Sequence, residues 1–227
     1  MSRMFPFITK TWNPLGGECL HKCSYCWASK LASKYRMEKY TGKPTLDTKE
    51  LHKVFKPTDF TFVCDMTDLF GYWVPQDYIQ RILDQIKFMN QGQFLLLTKN
   101  PKRYLEFEIP DNCVCGATIE TDYPLTLSGP HPMSRIEAMR TLKARKMVSI
   151  EPIMIHSDSF PYMIASVHPE FVAVGYDNYN NNLQEPFLGH VHTLIDVVKD
   201  FGIKVYEKTM RERHEIVSQE QTKKENP

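Results

Sequence analysis

Three of the chain's six cysteines lie close together, where the sequence from Cys19 reads Cys-Leu-His-Lys-Cys-Ser-Tyr-Cys. Cys19, Cys23 and Cys26 follow a C-x3-C-x2-C spacing, which can bring three thiolates to one soft metal centre. Iron–sulfur clusters are usually held by four cysteines. Three ligands would leave one iron open, and catalytic metals use an open position to activate a small molecule. Two simpler interpretations stay open: a zinc site that includes His21, and a group of buried cysteines.

Polar side chains stand at the end of almost every apolar run of the chain. These residues are Asp65, Thr67 and Asp68 after the second run, Thr98 and Lys99 at the third, Glu120 after the fourth, Glu151 after the fifth and Lys208 after the last. If the runs are parallel strands, their carboxyl ends meet at one edge of the sheet, where α/β barrels place their chemistry. We therefore predict that these side chains line one pocket. Each one alone has a simpler interpretation as a helix cap or a turn former.

Cations with an aromatic neighbour lie beside two of these strand ends. Lys102, Arg103 and Tyr104 come shortly after the third run, and Lys208 and Arg211 follow the last. Positive charge next to a stacking surface suits a phosphate-bearing substrate at the rim of the pocket. An ordinary solvated charged face is the alternative interpretation.

The elements that must position these residues alternate between apolar runs and segments of helical spacing. The predicted strands cover residues 5–10, 60–64, 94–98, 114–119, 147–150, 171–174 and 203–206. Runs that are apolar throughout are typical of parallel strands covered on both faces. The alternation predicts an α/β fold, a partial (β/α) TIM-like barrel of about six or seven parallel strands. An open doubly wound sheet is the alternative.

The chain has 227 residues and a formal net charge of +1. We predict one barrel domain over residues 1–213 and a charged, flexible tail over 214–227. No apolar stretch approaches the roughly 20 residues of a membrane span, and the beginning of the chain lacks a signal peptide's apolar core. We expect a cytoplasmic protein with reduced thiols, and a monomer.

The cysteine spacing, with the aromatic Tyr25 directly before the last cysteine, resembles the signature of the radical S-adenosylmethionine (SAM) superfamily. Further segments extend the resemblance to about residue 213, and they occur in the order Trp12-Asn13-Pro14, 62–70, 97–101, 116–120, Ser149-Ile150-Glu151-Pro152 and Glu207-Lys208. Together these segments resemble a phage-associated family of small radical SAM proteins, which is similar in outline to spore photoproduct lyase.

This resemblance implies a [4Fe–4S] cluster on Cys19, Cys23 and Cys26, with an open iron that binds SAM. One electron from the reduced cluster would cleave SAM to a 5′-deoxyadenosyl radical, and this radical would abstract hydrogen from a substrate. An external one-electron donor of the flavodoxin or ferredoxin type would supply the electron.

The resemblance also implies roles for single pocket residues. The residues that would bind SAM are Tyr25, Asp65, Thr67, Asp68, Thr98, Lys99, Glu120 and Glu151. Within this set, Tyr25 would pack near the adenine and Glu120 would accept hydrogen bonds from the ribose. The three residues from 65 to 68 lie where the superfamily binds the methionine amino group, and Lys99 would pair with the carboxylate or with substrate. Cys64 is a candidate hydrogen-atom donor to a product radical, or else a buried structural cysteine.

Three classes of function stay open. The likeness to spore photoproduct lyase favours a radical SAM enzyme that acts on a nucleotide or a nucleic acid. A radical SAM enzyme for a peptide or an amino acid is the second class, and a non-enzymatic metal-cluster protein that binds nucleic acid is the third. A polar pocket would distinguish the enzymes from the third class, because a binding module does not need one.

Overall fold

The structure, a computed structural model, describes residues 5–124 and 129–211, so the predicted tail over 214–227 lies outside the described residues. The strands in the described ranges are β1 Lys10–Trp12, β2 Leu15–Gly16, β3 Thr45–Leu46, β4 Phe60–Val63, β5 Gln93–Thr98, β6 Cys113–Thr118, β7 Lys146–Ile150, β8 Phe171–Val174 and β9 Lys204–Glu207. The α-helices are α1 Trp27–Lys34, α2 Thr48–Leu51, α3 Gln76–Phe88, α4 Pro132–Thr141, α5 Phe160–Ala165 and α6 Leu188–Asp200, and 3₁₀ helices cover Glu38–Tyr40 and Pro101–Glu106. None of the helices in these ranges is both long and apolar enough to cross a membrane.

Seven of the strands form one sheet in the order β1-β4-β5-β6-β7-β8-β9, and every pairing in it is parallel. The edges β1 and β9 do not pair, so the sheet does not close. Parallel neighbours require long crossover connections, and helices supply most of them here. The predicted α/β fold, a partial barrel of parallel strands, is confirmed.

Helix α3 shows how the helices are held on the sheet. Its buried residues are Ile79, Ile82, Leu83 and Ile86. Intervals of three and four residues place these side chains on one face of the helix. Burying a side chain of this size contributes about 1.5–3 kcal/mol, so this face is what binds α3 to the rest of the core.

A second cluster of buried side chains fills the inner face of the sheet. Its members include Phe5, Phe62, Leu95, Val114, Met147, Phe171 and Ala173. Phe62, Leu95 and Val114 are direct partners across β4, β5 and β6, so they form one layer. Alternation along each strand sends the next residues to the other face. Cys113 and Cys115 of β6 lie there, buried in the larger core cluster.

The structure differs from the prediction at the first strand, which was expected over residues 5–10 but begins only at the end of that range. The preceding aromatic residues pack inside the barrel instead. The ring of Phe7 lies 5.4, 4.8 and 4.9 Å, between centroids, from the rings of Phe60, Phe171 and Tyr206. These partners belong to β4, β8 and β9, so the segment fills the space between the two ends of the open sheet. A β-prone apolar run has the same sequence pattern in either role.

Candidate active site at the carboxyl ends of the strands

A cavity of about 330 Å³ lies at the carboxyl ends of the parallel strands. One wall carries the clustered cysteines Cys19, Cys23 and Cys26, and another carries Glu151 and Lys208, which follow β7 and β9. The residues of the predicted SAM set that line the cavity are Tyr25, Asp65, Thr67, Asp68, Thr98, Lys99 and Glu151. The fold thus brings the cysteines and most of the polar strand ends into one place, as expected for the top of a barrel.

The cysteine loop, residues 19–26, runs directly into α1. Cys26 is the N-cap residue of this helix, and its sulfur accepts a hydrogen bond of 3.3 Å from a backbone N–H of the first turn. Burial, followed by the charge of Asp68, raises the pKa of Cys19 to about 12, and burial raises the pKa of Cys26. A raised pKa means that both cysteines prefer the neutral thiol. A positively charged metal centre would reverse this preference, because it stabilises the thiolate.

The carboxylate of Asp68 is buried and binds four protein donors. Its Oδ2 accepts from His21 Nε2 at 2.8 Å, Thr98 Oγ1 at 2.9 Å and Lys99 N at 2.9 Å. Its Oδ1 accepts from the backbone N–H of Phe70 at 2.9 Å. Burial alone would raise the pKa of Asp68, but the hydrogen bond and the charge of His21 lower it. An ionised carboxylate is an acceptor only, so His21 donates and ties the cysteine loop to the ends of β4 and β5.

A second contact holds the same loop at Tyr25. The Tyr25 hydroxyl donates to the carboxylate of Glu120, and the ammonium of Lys99 contacts both groups. Arg135 Nη1 donates to the other Glu120 oxygen at 2.8 Å, and Glu120 and Arg135 are each 0% exposed. Burial opposes the charged form of Glu120, but Lys99 and Arg135 lower its pKa below the usual value. Two cations and a phenol therefore keep this carboxylate ionised inside the protein.

Asp68 and Glu120 thus bind protein donors where the resemblance implies contacts with SAM. Glu120 could reach a ribose only if Tyr25 or Lys99 moved away. Asp65 is half-buried on the cavity wall, accepts from Asn13 Nδ2 at 2.6 Å, and has a pKa that burial raises. Among the acidic residues expected to bind the methionine amino group, Asp65 is therefore better placed than Asp68.

Cys64 directly follows β4 and lies on the cavity wall. Its φ of 58° is in the left-handed region, and its side chain is buried. Burial raises the pKa of Cys64 to about 12, so it carries an S–H bond at neutral pH. A hydrogen-atom donor needs such a bond, and the role of Cys64 stays a prediction.

Glu151 and Lys208 form an ion pair in the cavity wall. Lys208 Nζ lies 2.5 Å from Glu151 Oε2, and the two side chains are 9% and 14% exposed. Asn178 Nδ2 donates to the other Glu151 oxygen at 2.8 Å, and Thr209 donates to Asn178. Lys208 Nζ also lies 4.5 Å from the centre of the Phe5 ring. This wall therefore offers hydrogen-bonding groups next to the ring of Phe5. The charges of Glu151 and Lys208 compensate each other.

The predicted basic rim needs a correction, because Arg103 and Tyr104 point into the protein. Arg103 is 7% exposed and donates to the backbone oxygens of Gly71 and of Val74. Tyr104 is 0% exposed, and its hydroxyl lies 2.7 and 2.9 Å from backbone oxygens of β5 and β6. Both residues hold the turn after β5 onto the sheet, which is a structural role.

The other predicted rim cations are only partly available to a substrate. Lys102 is exposed, whereas Lys208 pairs with Glu151. Arg211 Nη2 lies 2.6 Å from a carboxylate oxygen of Glu185. Carboxylates therefore compensate Lys208 and Arg211, the two predicted rim cations after β9.

Arg135 and Asn178 belong to the site although the patterns above do not indicate them. Arg135 shares the buried face of α4 with Pro132, Ile136 and Met139. A charged residue on the apolar face of a helix indicates that a partner of opposite charge is buried next to it. For Arg135 this partner is Glu120. Asn178 lies in a loop without periodicity, so no signal of this kind exists for it.

Among the described residues, no group of three or more His, Cys, Asp or Glu side chains has a geometry that would hold a single metal ion. This finding includes the three cysteines of the loop, although all three line the same cavity.

The chain belongs to the family described as "Protein of unknown function (DUF5131)", whose model matches residues 4–160. A search of curated proteins finds no match.

Two solved structures are similar to the chain as a whole. One is a mutant of spore photoproduct lyase with bound AdoMet and dinucleoside spore photoproduct, at 10% identity and a TM-score of 0.52 over 88% of this chain. The chain spans only 64% of that lyase. The other is a radical SAM methyltransferase from Sphaerobacter thermophilus, at 13% identity and a TM-score of 0.51, covering 92% of this chain and 68% of that one. The chain therefore has the radical SAM fold.

Proposed function

We propose that this chain is a radical SAM enzyme, which binds a [4Fe–4S] cluster and SAM and abstracts hydrogen from a substrate. The observation that carries the proposal is the position of three clustered cysteines on the wall of a cavity at the carboxyl ends of the strands. The fold of the similar structures supports the same class of chemistry. A protein that only bound nucleic acid would not need a cavity into which so many polar strand-end side chains converge.

The donor set fits an iron–sulfur cluster better than a zinc ion. Structural zinc needs four ligands around one point, and no such group occurs in the described part of the chain. The sulfurs that hold a cluster bind different irons, so they need not converge on one point. A backbone N–H group already reaches the sulfur of Cys26, as suits a ligand that becomes a thiolate.

When bound, the cluster supplies one electron that cleaves SAM into methionine and a 5′-deoxyadenosyl radical, which takes a hydrogen atom from the substrate. The chain's own residues bind and orient the reactants. Asp65 would accept from the methionine amino group, and Lys99 would pair with the carboxylate. Tyr25 would pack near the adenine and Glu120 would bind the ribose once Lys99 turns toward the ligand.

The cysteine assignment is tested by single substitutions. We expect Cys19→Ala, Cys23→Ala and Cys26→Ala to abolish incorporation of four irons during anaerobic reconstitution, because each removes one of three ligands. The matched control is Cys115→Ala, which removes a buried thiol from the core and should leave the iron and sulfide content unchanged. Equal iron content in all four variants would overturn the cluster assignment.

We also propose that the substrate is a nucleotide or part of a nucleic acid, and that its base enters the cavity. The similar lyase structure contains a dinucleoside, which supports this class of substrate. The compensated pair of Glu151 and Lys208, with Asn178 and the ring of Phe5, suits an uncharged polar ring better than a phosphate. Hydrogen bonds to donors and acceptors together with stacking are how single bases are recognised.

Salt dependence tests this mode of binding. The logarithm of the binding constant falls linearly with the logarithm of the salt concentration, and each phosphate contact makes this slope more negative by roughly 0.7 to 0.9. We expect oligonucleotides to bind with a slope shallower than about −2, because few rim cations are free of carboxylates. Binding of a peptide or an amino acid without any binding of nucleosides would contradict the proposal and favour the second class of function.

The electron is proposed to come from an external donor of the flavodoxin or ferredoxin type. Cys64, Cys113 and Cys115 are the cysteines outside the loop, and all three are buried. Only Cys113 and Cys115 are close together in sequence, and two thiols on one buried face of β6 do not repeat the three-cysteine loop that holds the proposed cluster.

A further inference from the structure

We infer that Asp68 is a positioning residue for the cluster, because its carboxylate fixes the loop that carries Cys19 through His21. The inference rests on the proposed function, since it concerns the same cluster. It gives Asp68 a role on the cysteine loop in place of a direct contact with SAM.

The first link is made by side chains. His21 lies in the loop between Cys19 and Cys23, and its Nε2 is 2.8 Å from Asp68 Oδ2. The same oxygen accepts from Thr98 and from the backbone of Lys99, so the carboxylate is fixed to the end of β5. The side chains of His21 and Asp68 are only 2% and 8% exposed, so water does not readily replace either partner. The loop cannot shift without leaving a buried polar group unsatisfied.

The second link is the short distance in sequence from His21 to two of the ligands. Cys19 is two residues before His21 and Cys23 is two residues after it, and all three line the same cavity as Asp68. Groups behind the ligands of a metal centre set the orientation of those ligands. Asp68 therefore holds the loop, and with it Cys19, through its carboxylate.

Packing leaves the His21 ring little freedom to turn away from Asp68. The ring meets Trp73 edge-on, with centroids 4.9 Å apart and planes at 80°. On another side, the backbone of Gly129 approaches the ring closely. A Cβ atom added to this glycine would lie only 3.0 Å from His21 Nδ1. These neighbours hold the ring so that Nε2 faces the carboxylate, as a positioning role requires.

The variants separate the hydrogen bond from the shape of the ring. His21→Phe keeps a ring against Trp73 but has no donor, whereas His21→Gln restores a donor at the place of Nε2. Asp68→Asn has one acceptor oxygen in place of two, so it cannot accept hydrogen bonds from all the donors that bind the carboxylate. Asp122→Asn is the matched control, because Asp122 also accepts a backbone N–H, from Ser157 at 3.0 Å, and has no hydrogen bond to the cysteine loop among the described contacts.

The first measurement uses the iron-free protein, in which alkylation by iodoacetamide is followed at each cysteine by mass spectrometry. We expect Asp68→Asn and His21→Phe to speed alkylation of Cys19 at least tenfold relative to Cys113 in the same molecule. General unfolding would expose Cys113 as well and would leave that ratio unchanged. His21→Gln and Asp122→Asn should give ratios close to that of the unchanged protein.

The second measurement is the electron paramagnetic resonance spectrum of the reduced, reconstituted protein with and without SAM. We expect Asp68→Asn and His21→Phe to alter the spectrum and His21→Gln to restore it. If both variants match the unchanged protein in spectrum and in the alkylation of Cys19, the positioning role is overturned while the proposed function stands. If the unchanged protein takes up no four-iron cluster, the proposed function fails, and this inference fails with it.

Discussion

The carboxylate of Glu120 has three polar partners in a place without solvent. Tyr25, Lys99 and Arg135 all contact it, and Glu120 and Arg135 have no exposed surface. A buried ion pair is weak evidence for stability, because removing both charges can be neutral. Removing one partner is different, since it leaves the other charges buried and unpaired.

The first prediction concerns Glu120→Gln, which leaves Lys99 and Arg135 without their anion. We expect the free energy of unfolding at pH 7, measured with urea, to fall by about 3–5 kcal/mol. Glu106→Gln is the control, because Glu106 is half-exposed and lies 3.5 Å from Arg103, a contact worth less than about 1 kcal/mol. A loss in Glu120→Gln as small as in the control would contradict this account of the network.

The second prediction concerns acid. The pKa values of Asp68 and Glu120 are lowered in the folded protein, despite burial, by His21 in one case and by Lys99 and Arg135 in the other. The unfolded chain therefore binds protons first as pH falls, and the stability from these groups is present above about pH 4 and lost below it. We expect the free energy of unfolding to fall between about pH 5 and pH 3, and to fall less steeply in Glu120→Gln. Equal slopes in the two proteins would show that Glu120 contributes nothing to acid unfolding.

At the scale of elements, the close contact of β6 with its neighbours depends on Gly116. A Cβ at this position would lie 2.8 Å from Leu97 Cδ1 and 2.8 Å from Met147 Sδ. These atoms belong to β5 and β7, the strands on either side. A methyl group here would force both side chains to move within the layer beneath the cavity.

The third prediction follows from that contact. We expect Gly116→Ala to lower the free energy of unfolding by about 1–3 kcal/mol through overpacking. Gly189→Ala is the matched control, since nothing lies within 4 Å of a Cβ there, and alanine favours the helix α6 that contains it. A Gly116→Ala protein as stable as the control would mean that the inner layer is looser than its contacts indicate.

Most elements of the sheet could be predicted from the sequence because their residues are apolar throughout. The run over 171–174 coincides with β8, the runs for β5 and β7 differ from the strands by one residue at one end, and the run for β6 is shifted by one residue. The ribbon of β2 and β3 was not predicted, because strands of two residues carry no periodicity. Contacts such as Tyr25 with Glu120 join positions far apart in sequence, and they depend on how the loop packs after folding.

At the scale of the whole molecule, an aromatic cluster replaces the hydrogen bonds that would close the barrel. Phe7 contacts rings on β4, β8 and β9, which lie near opposite ends of the strand order. The cavity lies at the other end of the same strands. The N-terminal segment therefore helps to set the distance between the walls that carry Asp65 and Lys208.

The fourth prediction tests this aromatic cluster. Phe7 is half-buried, so we expect Phe7→Ala to lower the free energy of unfolding by about 2–3 kcal/mol, less than the 3–5 kcal/mol of a fully buried phenylalanine. Phe88→Ala is the control, because Phe88 is 80% exposed and its removal should change stability by less than about 0.5 kcal/mol. Equal losses of stability in the two variants would show that the aromatic cluster does not hold the two ends of the open sheet together.

The position of the site could be predicted from the sequence, because parallel strands must end at one edge of the sheet. The roles of its residues could be predicted only in part. Arg103 and Tyr104 looked like rim residues because they follow a strand end, but the 3₁₀ helix that contains them turns both side chains inward. Whether a polar residue faces a ligand or a protein partner depends on tertiary contacts that spacing does not encode.

The central claim is tested most directly by one anaerobic measurement. The reconstituted protein is mixed with SAM and a strong one-electron reductant, and 5′-deoxyadenosine is measured by liquid chromatography, with Cys23→Ala as the control. We predict that 5′-deoxyadenosine forms with the unchanged protein and not with Cys23→Ala. A protein that holds four irons and binds SAM but forms no 5′-deoxyadenosine would contradict the radical SAM account.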